Sequence, residues 1–183
     1  MKSTRLFFAA WIALVLGSSG CSSDHVRSNL WVATINETGA LASDVYNNGR
    51  DGIAGTNDDF VLEDAVPVTI VADEGPGANI VPGGPFSIIT IESYTVKFDS
   101  DEEVDGFTAT LGWNVEVGTT FEGSLTIVPA GHKNRAPLNS LQQFGEIRTN
   151  AHITFHGKEA NSGNDVTFST SLPVNFANWV DPS

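Results

Sequence analysis

The sequence predicts an all-β fold, a sandwich of antiparallel sheets with about seven strands, and three observations lead there. Apolar residues recur with period two along most of the chain, as strands with one face buried and one face wet require. Those residues are mainly β-branched or aromatic, the types that suit a pleated surface. Glycine and proline cluster between the alternating stretches, and no stretch carries the 3.6-residue period of an amphipathic helix.

The elements follow in order. Residues 30–35 form a first strand, and Val66, Val68, Ile70 and Ala72 alternate in a second. Ile89, Ile91 and Ser93 followed by Tyr94, Val96 and Phe98 mark a long third strand whose inward face changes phase midway. Phe107, Ala109, Leu111, Trp113, Val115 and Val117 keep one face throughout, with Trp113 as the candidate core tryptophan. Phe121, Gly123, Leu125 and Ile127 come next, then Ile153 and Phe155 within residues 146–157, and last Val166, Phe168, Thr170 and Leu172. Residues 74–85 (EGPGANIVPGGP) read as a loop, 118–120 and 160–164 as turns, and 137–144 as room for one helical turn. Seven short alternating strands are the count expected of an immunoglobulin-like sandwich.

The chain of 183 residues carries 22 acidic and 9 basic side chains, a formal charge of −13. Such a balance argues against nucleic acid as a partner and against a domain face that binds anionic lipid. The N-terminus has a different character. Lys2 and Arg5 precede an apolar run, LFFAAWIALVL at 6–16, and a small-residue stretch at 17–20. That is the layout of a secretory signal, and the run is too short to span a bilayer. Removing residues 1–20 leaves 7 basic against 22 acidic residues, or −15.

Cys21, the only cysteine, follows directly. The junction resembles the lipobox of bacterial lipoproteins, which implies a lipid on the Cys21 thiol, a membrane-anchored protein and, with Ser22 next, sorting to the outer membrane. The match departs at Ser18, where that family favours leucine; cleavage near Ser19 or Gly20 with a free thiol is the competing expectation. Residues 21–29 then form a polar tether and 30–183 the domain, with no thiol left for disulfides.

Residues 44–60 (DVYNNGRDGIAGTNDDF) gather oxygen donors among glycines. Calcium takes six to eight such oxygens on a sharply bending loop. Set against a twelve-residue calcium loop, Asn47 falls at the first position, Asp51 at the fifth, Gly52 at the sixth, Ile53 with its carbonyl at the seventh and Asp58 at the twelfth, with Asp59 adjoining. The match is partial: Gly49 leaves the third position without a side chain, and Asp58 stands where a longer Glu is usual. An ordinary solvated loop, rich in turn-forming Asn, Asp and Gly, is the other reading. Asp99, Asp101, Glu102, Glu103 and Asp105 make a second acidic group, expected at a hairpin tip.

His152 and His156 share a strand face about 13 Å apart, too far to hold one metal. His132 and Lys133 lie in a loop with no recognisable partner spacing. Nucleophile elbows, HExxH and phosphate-binding glycine loops are absent from the sequence. Trp31 and Trp179 are candidate sugar-stacking rings or simply packing groups.

Residues 149–182, with AHITFHGKEANSGNDVTFSTSLPVNFANWVDP, resemble the end of a group of uncharacterised bacterial lipoproteins with an immunoglobulin-like domain. The resemblance runs from about Ile89 onward and carries no catalytic motif. The expectation is a non-catalytic envelope lipoprotein acting as a binding or structural module with an envelope protein as partner. A calcium-dependent binder of envelope polysaccharide is the alternative, and a hydrolase using dispersed carboxylates is third.

Overall fold

A computed structural model describes residues 26–49, 56–84, 86–99 and 103–179. The described residues form eight strands: β1 (Ser28–Ile35), β2 (Leu41–Asp44), β3 (Asp64–Glu74), β4 (Ile88–Phe98), β5 (Phe107–Glu116), β6 (Thr119–Val128), β7 (Glu146–Glu159) and β8 (Asp165–Ala177). One four-residue helix, α1 (Ala130–Lys133), and two 3₁₀ segments (Asn36–Thr38 and Leu138–Gln142) complete the described elements. The strands form two sheets, ordered β1-β3-β6 and β2-β8-β7-β4-β5. Sandwich architecture and strand positions agree with the sequence, and residues 138–142 supply the helical turn.

Each expected alternation turns inward. Val66, Val68, Ile70 and Ala72 of β3 are buried, as are Ile153 and Phe155 of β7. The phase change in β4 has a visible cause: Glu92 is an extra residue relative to β7, between Ile91 opposite Gly157 and Ser93 opposite His156. A bulge of this kind shifts the strand by one side chain, so Ile89 and Ile91 on one side of it and Tyr94 and Val96 on the other all reach the core. Gly157 allows the close approach there, since a Cβ would strike the Thr90 carbonyl and meet Ile91 Cα at 3.0 Å. The Tyr94 hydroxyl crosses the core to donate to the Thr126 carbonyl at 2.9 Å, joining the two sheets.

Two features depart from expectation. The chain passes from the first sheet to the second through Asn36, Glu37 and Thr38, which hold φ of 48°, 50° and 68°, a left-handed turn without glycine. Asn36 Nδ2 donates to the Gly39 carbonyl at 3.1 Å across it. Strand β2 then pairs parallel with β8, Leu41 opposite Val174 through Asp44 opposite Ala177, where all pairs were expected antiparallel. Strand β1 begins at Ser28, inside the stretch read as tether.

The chain also crosses between the sheets on the opposite flank, from β5 to β6. Val117 donates to the Ser87 carbonyl and Gly118, at φ 82°, to that of Ala72, so two consecutive residues bond to different sheets. Trp113 closes the resulting gap. It is half-buried on the inward face of β5, 4.9 Å from the Phe121 ring, over Gly123, whose absent Cβ would lie 2.9 Å from the indole.

Exposed edges are blunted. Strand β2 has four residues, and β1, β5 and β6 each carry an extra residue relative to their neighbours, at Ala33, at Leu111–Gly112 and at Ile127. Bulges and short edges discourage pairing with another chain. Pro173 sits in β8 one residue beyond the reach of β2, and Pro67 in β3 one residue beyond the reach of β1, each where one flank has no partner.

The sandwich has two ends about 35 Å apart, the length of an eleven-residue strand. The chain arrives from Val26 at the proximal end, among the connections 75–87, 117–118 and 160–164. The described parts of connections 45–63 and 99–106, connection 129–145, and Asn178 with Trp179 lie at the distal end.

Candidate functional site

The distal end gathers most of the residues that sequence reading marked. Its foundation is Lys133, which α1 carries beneath the loops until its side chain is 1% exposed. Nζ donates to Asp64 Oδ1 at 2.9 Å and to the Asp44 carbonyl at 2.6 Å, while Ser43 Oγ donates to Asp64 Oδ2 at 2.6 Å. A buried ammonium needs such partners, because an unpaired charge removed from water is strongly unfavourable. Lysine 133 was read as a loop residue without partners. The turn into α1 that buries it is only four residues long and leaves no periodic signal.

Above this pair the 45–63 connection is pinched shut by Asn47 and Phe60, whose backbones exchange hydrogen bonds of 3.0 and 3.1 Å. Asp59 Oδ2 accepts from the Tyr46 hydroxyl at 2.7 Å and from the Thr56 amide at 2.9 Å. The Thr56 hydroxyl lies 2.7 Å from Asp58 Oδ1 and 3.2 Å from Asp59 Oδ1, so these two carboxylates converge on one hydroxyl. Asn47 Oδ1 accepts the Gly49 amide at 3.0 Å, and Gly49, at φ 68°, lies so close to the Asp58 side chain that a Cβ would clash with it. The loop therefore brings Asn47, Asp58 and Asp59 to one place. Asp51 and Ile53, the other proposed calcium ligands, lie outside the described residues, as do Cys21, Asp101 and Glu102. Among the described residues no three His, Cys, Asp or Glu side chains form a metal-holding group.

Asp44 Oδ1 accepts the Trp179 amide at 3.2 Å, and Asn178 Nδ2 donates to the Gln142 carbonyl at 2.7 Å, which fixes the C-terminal segment across the same end. Phe60, Leu62, Phe144 and Trp179 are exposed there. Leu62 and Phe144 are the most open, at 62% and 80%. Trp31 is also exposed, but it lies on β1 opposite Val71, close to the proximal end, so the two tryptophans share no platform.

The remaining candidates are dispersed. His152 and His156 are exposed on the outer face of β7, and His152 Nε2 is 3.7 Å from Asp99 Oδ2. Asp99, Glu103 and Asp105 are exposed around the β4–β5 hairpin tip, whose Val104 is buried. A shallow flank hollow holds Glu37 and Glu122, both exposed.

At the proximal end Glu159 was not singled out at all. It is almost fully buried and its Oε1 accepts from the Arg27 amide (2.6 Å), the Ser28 amide (3.0 Å) and Ser28 Oγ (2.9 Å). Oε2 accepts from Ser162 Oγ (2.6 Å) and Asn164 Nδ2 (3.4 Å). Burial alone would raise its pKa, but these donors outweigh it and hold the carboxyl below its ordinary value. The final carboxylate of a strand offers no periodic clue to this role.

No protein-family model matches the chain, and no curated protein matches it. Among the described residues no helix is long and apolar enough to cross a membrane.

Proposed function

We propose that the protein is a cell-envelope lipoprotein, held in the outer membrane through Cys21, whose sandwich of immunoglobulin-like type is a non-catalytic module binding an envelope protein at its distal end. The observation that carries the reading is polar: the chain enters at one end, while the long loops and the exposed Phe60, Leu62, Phe144 and Trp179 collect about 35 Å away at the other. A lipid on Cys21 leaves that end facing away from the membrane. Large exposed apolar side chains fixed on a rigid scaffold suit a partner surface. The strand orders β1-β3-β6 and β2-β8-β7-β4-β5, with the first strands divided between the sheets, support the immunoglobulin-like assignment.

The experiment is fractionation of cells expressing the full chain with radiolabelled palmitate. Wild type should carry label in the outer-membrane fraction and Cys21→Ser should lose both label and fraction; an unlabelled, freely soluble wild type refutes the anchor. In-cell crosslinking from a photoreactive residue at Phe144 should then give one discrete adduct that Leu62→Asp removes.

A second reading, a calcium-stabilised loop serving a polysaccharide binder, draws support from the convergence of Asp58 and Asp59 on Thr56. Thermal unfolding with millimolar Ca²⁺ and with chelator tests it. A raised midpoint abolished by Asp58→Asn supports the ion; coincident melts exclude it.

A further inference from the structure

We infer that the proximal tip of the sandwich is itself a membrane-contacting surface, which rests on the anchored reading of Cys21. Four large apolar side chains are exposed at this end: Val81 at 68%, Val26 at 43%, and Phe86 and Ile88 at 42% each. Their presentation is rigid. Ile80, next to Val81, is buried in the core at 4% exposure, so the 75–87 connection is plugged into the sandwich while its neighbour is turned out. Gly84 donates to the Val81 carbonyl at 2.8 Å, Ser87 Oγ to the Gly84 carbonyl at 2.8 Å, and Gly83 to Glu116 Oε1 at 2.7 Å, which fixes the two turns of the tip.

The occupant follows from where the chain arrives. Four residues lie between Cys21 and Val26, five Cα-to-Cα steps that can span at most about 18 Å, so a lipid on Cys21 keeps this end, and no other, within reach of the bilayer. Holding a weakly partitioning surface at short range converts its contact with lipid into an intramolecular event. The Arg27 guanidinium lies over the Phe86 ring, 4.8 Å from its centroid, which pairs an apolar body with a cation as interfacial groups are paired at headgroup depth. Asp73, Glu74 and Asp165 border the tip and would be repelled by anionic headgroups, so the surface it fits is zwitterionic. The tip sets the orientation of the domain, and the lipid supplies the hold.

Because Cys21 is the only cysteine and its sulfur would be held as a thioether to the diacylglyceryl group, one added cysteine can report on depth. The lipidated full chain carrying Val81→Cys, or Phe144→Cys at the distal end, is labelled with nitrobenzoxadiazole and reconstituted in phosphatidylcholine vesicles containing a headgroup-depth spin-labelled lipid. The expected result is a blue-shifted emission at position 81, quenched several-fold more than at 144. Equal weak quenching at both positions, in a chain whose mass includes the diacylglyceryl group, overturns the tip contact and leaves the anchor standing. A mass without that group overturns the anchor and the tip contact together.

Discussion

At the proximal end the start of β1 and the short β7–β8 turn surround one carboxylate, Glu159, that gathers five donors from these two segments, whereas at the distal end long loops rest on one cation, Lys133, that reaches two acceptors beneath them. Both ends are fastened by a buried charge, but the fastenings do different things. Glu159 binds the start of β1 to the β7–β8 turn, so it resists separation of the N-terminal strand from the body. Lys133 ties α1 to the ends of β2 and β3 beneath the distal loops. Short turns restrain themselves, and long connections need an internal post.

The largest expected effect strikes the distal post. Lys133→Ala strands the Asp64 carboxylate and the Asp44 carbonyl, and should cost about 3 kcal/mol in urea unfolding, since removing one partner of a buried pair leaves the other uncompensated. Adding Asp64→Leu to Lys133→Met should recover much of that loss; no recovery would mean that the post acts through its shape and not its charge.

Glu159→Ala should follow closely, at about 2–3 kcal/mol, because five donors lose their acceptor, several of them buried. Limited proteolysis should then cut near Ser28 first, while the distal loops keep their wild-type pattern. The acid limb of stability separates the ends further. Glu159 is depressed in the folded state, so its contribution is complete above the ordinary carboxylate range and is lost as pH falls through the lowered folded value. Glu159→Gln should be less stable at neutral pH and should flatten that limb; an unchanged limb would place the acid sensitivity elsewhere.

Between the ends, Gly157→Ala should cost about 2 kcal/mol by forcing apart β7 and the β4 bulge. The smallest effect belongs to the distal surface. Leu62→Asp should change stability by less than about 0.5 kcal/mol, since the side chain is exposed, while disrupting any adduct formed there. A large loss of stability would reassign Leu62 from partner contact to packing.

Legibility in the sequence followed periodicity. The seven alternating strands, a phase change within the 89–98 strand and a helical turn within 137–144 could all be read, because each leaves a local pattern of apolar spacing or turn residues. Strand β2 could not: its four residues, LASD, are too few to alternate, and they are held by β8, far away in sequence. The distal loop was legible as a cluster of oxygen donors around Asn47, Asp58 and Asp59. Its bonds to Tyr46 and Thr56, and the lysine beneath it, were not, because they depend on where a tight turn and a strand end meet in space.

The sequence by itself determined which residues face inward, where the chain turns, the acidic surface and the candidate anchor at Cys21, since these are properties of neighbours along the chain. Only the tertiary structure decided that the chain crosses between the sheets at both flanks, that Lys133 and Glu159 become internal fastenings, and that apolar groups are exposed at opposite ends. Those features rest largely on contacts between residues far apart along the chain, as in Ser43 with Asp64, 21 positions away, and Asp44 with Trp179, 135 positions away, and no local pattern encodes such distances.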